Sequence, residues 1–307
     1  MVRPVRFGFN AQTATDNAFQ SRSPLSAAEV QAKAQTEFDT FVELLRANGI
    51  TVTVFQDLEE PHTPDSIFPN NWISFHESGK IVIYPMFAPN RRLERRSDIV
   101  AHFQALYEHA TVVDFAHYEE EGMFLEGTGS MIMDRENQVI YACHSHRTTR
   151  ELFELFCREV EAEGMLFHAT DRNGQEIYHT NVMMALGTRF AVVCMDAIRD
   201  EGEKAALKNR LEATGHEVVS INFDQVESFA GNMLQLYNSE GTPILVMSQR
   251  AHDSLFPEQL EKLASYSRIL MIPLDIIESS GGGSVRCMMA EVFLGDNSQL
   301  SSSKGEI

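Results

Sequence analysis

The sequence predicts a single α/β domain built as a closed ring of five repeated units, each with the order strand, strand, helix, strand. Three observations carry the prediction. A short apolar strand, a turn and a second apolar strand return along the chain at near-constant spacing. An amphipathic helical run follows most of these hairpins, and a β-like segment follows each helix. The start of each first strand carries a Gly, an Asn or another polar residue. Equivalent positions 71, 130, 181, 232 and 286 lie 59, 51, 51 and 54 residues apart.

The elements follow in order. The segment Arg6 to Asn10 reads as a strand that could complete the last unit and close the ring. The polar stretch Asp16-Asn17-Ala18-Phe19-Gln20 reads as a lid or, equally, as a plain surface loop. A helix over Ser26 to Asn48 and a strand over Thr51 to Phe55 precede the first hairpin. The hairpins are Asn70 to Phe75 with Ile81 to Tyr84, Gly129 to Met133 with Val139 to Tyr141, Asn181 to Leu186 with Phe190 to Val193, and Gly231 to Leu236 with Ile244 to Val246. Arg286 to Met289 begins a fifth. Helices are expected over Arg91 to Tyr107, Thr148 to Glu163, Glu201 to Ala213 and Pro257 to Tyr266. The strands after them are Thr111 to Phe115, Met165 to Phe167, Glu217 to Phe223 and Ile269 to Leu274. A ring is favoured over an open solenoid because it removes exposed sheet edges. Equivalent strand starts then face one centre, so Asn71, Glu126 to Gly129, Asn181, Asn232 and Cys287 should converge there. The domain is expected to span residues 1–295, with 296–307 a loose Ser-rich tail.

Composition narrows the function classes. A 43% apolar and 22% charged chain is an ordinary soluble globular protein. Its net charge of -19 argues against a nucleic-acid partner, which calls for clustered Lys and Arg. No apolar stretch approaches the roughly 18 residues of a membrane span, and the start lacks a signal-peptide apolar region. Cys143, Cys157, Cys194 and Cys287 form no C-x-x-C pair and no metal-ligand spacing. A reduced cytoplasmic protein is the simplest reading. A homo-oligomer stays open, since the sequence does not encode oligomeric state in any readable way.

The chemistry concentrates near the end of the chain, in Ser279-Ser280-Gly281-Gly282-Gly283-Ser284-Val285-Arg286-Cys287. Three glycines permit close backbone approach, and one thiol follows them. A buried free Cys after a glycine turn is the bland alternative. The ring decides between the two, because it places Cys287 with His179 and Glu126. A thiol, an acid/base and an orienting carboxylate are the parts of nucleophilic catalysis. Cys143, Cys157 and Cys194 fall in apolar strands or on a helix and read as core. His144 and His146 make only a weak metal signal without a third ligand.

These motifs resemble the guanidine-modifying superfamily of arginine deiminases, dimethylarginine hydrolases, agmatine deiminases, amidinotransferases and succinylarginine dihydrolases. The likeness is greatest to the citrulline-utilisation hydrolases, or citrulline ureidases. It rests on Pro64-Asp65-Ser66-Ile67-Phe68-Pro69-Asn70-Asn71, Pro89-Asn90-Arg91-Arg92-Leu93-Glu94, Glu126-Gly127-Thr128-Gly129, His146-Arg147-Thr148, His179-Thr180-Asn181 and Gly282-Gly283-Ser284-Val285-Arg286-Cys287-Met288, in that order over residues 6–295. The resemblance implies a five-bladed α/β propeller, in accord with the repeat. It implies Cys287 as nucleophile, His179 as general acid/base and Glu126 as the carboxylate that orients the histidine or contacts substrate. It implies Arg91 and Arg147 as ligands of an α-carboxylate. Asp65 either binds substrate or buttresses its loop, and Asn232 either contacts substrate or shapes a turn.

One departure from the family pattern bears on substrate. Arginine deiminases resemble this chain but carry Asp at the positions matching Asn71 and Asn181, where two carboxylates clamp a guanidinium. Amides here suit a neutral ureido group, which offers both N–H donors and a carbonyl acceptor. The expected reaction is hydrolysis of citrulline to ornithine, ammonia and carbon dioxide through a covalent Cys287 intermediate, with neither metal nor organic cofactor. Hydrolysis of arginine or of a methylated or acylated arginine is the main rival, because succinylarginine dihydrolases resemble this chain at the first amide and accept a guanidine. An amidinotransferase and a non-catalytic amino-acid-binding propeller are the further alternatives.

Overall fold

The computed structural model describes residues 1–15 and 17–295; the expected tail, 296–307, lies outside the described residues. Four three-stranded sheets repeat one topology. In each, the first two strands form an antiparallel hairpin and the third returns parallel to the second. The first is Ile73–Phe75, Lys80–Ile83 and Thr111–Asp114. The second is Met131–Asp134, Val139–Cys143 and Glu163–Phe167. Met184–Leu186, Phe190–Val193 and Glu217–Ser220 make the third, and Leu234–Tyr237, Pro243–Ser248 and Arg268–Ile272 the fourth.

A parallel return needs a crossover, and a helix supplies it every time. The four are Ser97–Leu106, Arg150–Glu159, Glu201–Ala213 and Pro257–Tyr266. Middle strands are covered on both faces, which is why Val139–Cys143 and Phe190–Val193 are apolar and buried throughout.

A fifth unit is partial. Val2–Arg3 pairs in parallel with Phe55–Gln56, and the helix Ala27–Ala47 joins them. A reciprocal capping box starts this helix: Ser26 Oγ accepts from Glu29 N, and Glu29 accepts from Ser26 N. Its apolar face, Val30, Ala34, Phe38, Phe41, Val42 and Leu45, is buried. The segment after Cys287 returns to this region, where Leu294 packs in one cluster with Val2 and Trp72.

Several boundaries differ from the sequence reading. Residues 6–10 form no strand. Pro4 lacks an N–H, Phe7 N donates to Gln31 Oε1, and the chain turns at Asn10. Of the strand expected over Thr51 to Phe55, only Phe55–Gln56 pairs. The helix expected over Arg91 to Tyr107 is broken into Pro89–Glu94 and Ser97–Leu106. Arg95 and Arg96 are extended between the two, so Arg91 and Glu94 turn inward on one piece while Ile99 and Phe103 pack on the other. Glu217–Ser220 ends early because Asn222 caps a short helix, Phe223–Glu227. Arg286 to Met289 is no strand; Val285–Met288 is a 3-10 turn.

That last difference is general. Polar residues stand on or at the start of short helical turns: Pro69–Asn71, Gly127–Ser130 and Thr180–Val182, each just before a strand, and Val285–Met288, which no strand follows among the described residues. These turns touch one another. Gly127–Ser130 packs on Pro69–Asn71 and on Thr180–Val182, and Val285–Met288 packs on Pro69–Asn71.

Candidate active site

The packed turns gather side chains from distant parts of the chain into one closed pocket. Cys287, His179, Asn71, Asn181, Asn232 and Asp65 all line it. The free space is about 30 Å³, room for a water or so and far less than an amino acid. Thr13, Asn17 and Phe19, from the segment before the first helix, also line it.

Cys287 lies between two amides. Asn181 Nδ2 is 3.4 Å and Asn232 Nδ2 3.3 Å from Sγ. The orientation of Asn232 is fixed by Arg286 N, which donates to its Oδ1 at 3.1 Å, so its N–H must face the sulfur. Asn232 Nδ2 also donates to Asn181 O at 3.0 Å. The sulfur thus lies within reach of two amide side chains, and Asn232 Oδ1 stands 3.7 Å from it. The other three thiols are buried, and burial pushes Cys143 and Cys157 up to about 12 and Cys194 up to about 11. They are core groups held protonated.

His179 and Glu126 form a buried pair, with Nε2 and Oε2 2.7 Å apart. Glu126 Oε1 accepts Phe87 N at 2.9 Å, and Oε2 also faces Arg147 Nη1 at 3.4 Å. Burial alone would raise the Glu126 pKa, but Arg147 and the His179 bond outweigh it and hold the carboxyl well below the usual carboxylate range. Burial pushes His179 down to about 4, against the pull of Glu126. At neutral pH the pair is therefore carboxylate and neutral imidazole, with the proton on Nε2. Close approach here requires Gly129: a Cβ on it would stand 2.3 Å from Asn71 Nδ2 and 2.8 Å from His179 Nδ1.

Arg91 sits inside a buried acidic set. It donates to Glu94 through Nε and Nη2, each at 2.9 Å, and to Asn71 Oδ1 through Nη1 at 2.8 Å. Asp65 Oδ2 lies 3.8 Å from Nε. Burial would lower the Arg91 pKa, but Glu94 and Asp65 reverse this and keep the guanidinium charged. Most of its donors are thus engaged within the protein. Because Arg91 can only donate, Asn71 Oδ1 faces it and Asn71 Nδ2 faces the pocket. Burial pushes Asp65 up, against Arg91 and bonds from Asn10 and Thr13. Asn10 Nδ2 and Thr13 Oγ1 reach its Oδ2 at 2.7 and 3.3 Å. Arg147 stacks over Tyr178, 4.7 Å from the ring centroid, and also lines the pocket.

Three buried polar atoms in this pocket have no hydrogen-bond partner: Asp65 Oδ1, Asn71 Nδ2 and Asn181 Oδ1. Orphaned buried groups are rare, so these three mark where a ligand's polar atoms would go.

Asp65, Asn71, Arg91, Arg147, His179, Asn181, Asn232 and Cys287, expected from sequence, all line this pocket, and Glu126 stands behind it against His179 and Arg147. Sequence reasoning missed Asn10, Thr13 and Glu94. Only Glu94, three residues after Arg91, left a trace. His144 and His146 stand apart, both facing Glu176, and no metal-holding cluster occurs among the described residues.

A family model for eukaryotic N,N dimethylarginine dimethylhydrolases matches residues 3–294. The chain belongs to that family. No curated protein matches the sequence. Among solved structures, ArgZ, an arginine dihydrolase from the ornithine–ammonia cycle in Cyanobacteria, superposes with a TM-score of 0.74 at 17% identity. The match covers 96% of this chain and 40% of ArgZ, so the chain spans less than half of that relative. The N-terminal domain of ArgZ alone, a cysteine-to-serine mutant bound to substrate, gives 0.71 at 17% identity and covers 96% of this chain and 98% of that one. The same ArgZ domain, as an asparagine-to-serine mutant, has been seen covalently bonded to a reaction intermediate. A dimethylarginine dimethylaminohydrolase adduct gives 0.59 at 15%, covering 84% and 90%. At these identities the likeness speaks for the fold alone.

Proposed function

We propose that this member of the family hydrolyses the ureido group of citrulline, giving ornithine, ammonia and carbon dioxide. The observation that carries the proposal is the pair of unpartnered amide atoms beside the thiol. Asn71 Nδ2 is an uncharged donor, Asn181 Oδ1 an uncharged acceptor, and both lie in the pocket with Cys287. A ureido group needs a donor for its carbonyl and an acceptor for its N–H. A guanidinium has no acceptor to offer Asn71 Nδ2.

The proposed steps are these. His179 Nδ1 takes the Cys287 proton, and Sγ attacks the ureido carbon while the carbonyl π pair moves to oxygen. Asn71 Nδ2 steadies that oxygen. The oxygen pair returns, the bond to the ornithine nitrogen breaks, and His179 gives that nitrogen the proton. This leaves an S-carbamoyl cysteine. Water, deprotonated by His179, attacks it, and Sγ leaves to be reprotonated. The product carbamate breaks down to ammonia and carbon dioxide. Glu126 holds the imidazole, Asn181 and Asn232 hold the thiolate, and Arg147 is placed to meet the α-carboxylate. Arg91 fixes Asn71. The segment with Thr13, Asn17 and Phe19 has to move aside for substrate to reach the thiol.

A second reading is kept by one observation. Asp65 Oδ1, an acceptor lining the pocket, is also unpartnered. An arginine side chain would offer it N–H donors, and ArgZ is an arginine dihydrolase. We also read the four sheets and the partial unit as blades of a five-bladed propeller, which accounts for the meeting of their leading turns. The four free cysteines fit a reduced cytoplasmic setting.

The test is an assay of the purified protein with citrulline, arginine and dimethylarginine, following ornithine, citrulline and ammonia. Ornithine and ammonia should appear from citrulline. Turnover of arginine with none of citrulline would overturn the reading.

A further inference from the structure

One buried carboxyl group joins the two sides of the glycine turn that carries Cys287. Glu278 lies in the helix Asp275–Gly281 and is 1% exposed. Its Oε1 accepts Ser284 Oγ–H at 2.6 Å, and its backbone carbonyl accepts Gly282 N at 2.9 Å. Ser284 O in turn accepts Cys287 N at 3.0 Å. Glu278 therefore grips the turn on both sides of Gly283, one residue contact away from the nucleophile. The turn needs such a grip. Gly282 has φ +67, and the glycines themselves offer no side chain to pack.

We propose that Glu278 is a positioning residue for Cys287, acting through Ser284, and that its ionised form holds the thiol between Asn181 and Asn232. The proposal rests on the reading of Cys287 as nucleophile. Burial pushes the Glu278 carboxyl up to about 7, against bonds from Ser248 and Ser284. Arg250, from Gln249–Ser254, draws it down and Asp275, on its own helix, draws it up. Glu37 of Ala27–Ala47 caps the Ile276 and Ile277 amides on the same helix. Among the described residues no cation pairs directly with Glu278. As pH falls through about 7 the carboxyl gains a proton. The charge-assisted bond to Ser284, roughly twice as strong as a neutral one, then weakens and the turn loosens.

The test reads the thiol without any substrate. Alkylation of Cys287 by iodoacetamide is followed by peptide mass spectrometry across pH 6 to 9 in the parent protein, E278Q and S284A, with C287S as the blank. The expected result is an inflection near neutrality in the parent that both variants flatten, with a severalfold change in rate at the alkaline end. Parent-like rates and profiles in both variants would overturn the proposal. Should E278Q fail to fold, S284A decides alone, because it removes one hydroxyl and leaves the carboxyl in place. A shifted profile in a protein that ignores citrulline would refute the ureido reading and leave the Glu278 role standing.

Discussion

Glu126 Oε2 and His179 Nε2 stand 2.7 Å apart, both buried, and their bond sets which imidazole nitrogen is the base. A carboxylate can only accept, so the shared proton belongs to Nε2 and Nδ1 carries the free lone pair.

This pair makes stability fall in acid. The unfolded imidazole titrates near 6.5 and the folded one near 4. Between those values the unfolded chain binds the extra proton, so stability is lost as pH drops through that window. Urea denaturation at about pH 7 and pH 5 should show the parent weaker at the lower pH and His179→Gln with a smaller difference. His76, pushed down to about 3 by burial, should leave a residual slope. An unchanged slope in the variant would show that His179 is not buried neutral.

The two pocket amides should govern the choice of substrate. Asn71→Asp with Asn181→Asp replaces two neutral amides, one offering a donor and one an acceptor, by carboxylates and places two negative charges beside a ureido group. Charge-assisted bonds contribute about 1.5–3 kcal/mol each, so kcat/KM for citrulline should fall at least tenfold while that for arginine rises. Steady-state kinetics on both substrates decides it; equal losses on both would count against these residues as the selectors.

Gly129→Ala should damage function more than the fold. The new Cβ would fall 2.3 Å from Asn71 Nδ2 and 2.8 Å from His179 Nδ1, and both must shift. Misplacement by an ångström can reduce rates about a hundredfold. Activity should drop by that order while the thermal midpoint moves only a few degrees.

Arg91 and Glu94 should behave as one unit. Arg91→Met leaves the buried Glu94 carboxylate without its bidentate partner, at roughly 3–5 kcal/mol. Glu94→Met alone should be similarly harmful. The double variant should recover a large part of the loss, since the pair replaced by apolar groups is often near neutral. Additive losses in chemical denaturation would disprove the coupling.

How far the sequence could be read follows from the range of each interaction. Cys287, His179 and Glu126 were found because each sits beside a repeat start and its motif is local. The repeat itself is local, and four sheets carry it. Asn232 was only half understood: its contact with Sγ spans 55 residues, and nothing near it announces a thiol. Asn10 and Thr13, which fix Asp65 from 55 and 52 residues away, left no periodic signal. Asn71, Gly129, Asn181 and Arg286 to Met289 were read as strand because each runs on into an apolar stretch; the bonds that curl the turns, such as Cys287 N to Ser284 O, are set by tertiary packing. The broken helix at Arg95 and Arg96 likewise depends on Glu119, which both Arg92 and Arg95 reach from another unit.

The order of the pocket's residues along the chain has a bearing on biosynthesis. Asp65, Asn71, Arg91, Glu126, His179, Asn181 and Asn232 all precede Cys287, and Leu294 then packs with Val2. Translation runs from amino to carboxyl terminus, so the polar lining is made before the sulfur that it will activate. A nascent chain halted between Asn232 and Cys287 carries all seven of these polar residues and lacks the thiol, so the pocket is completed by the last of its lining residues to be made.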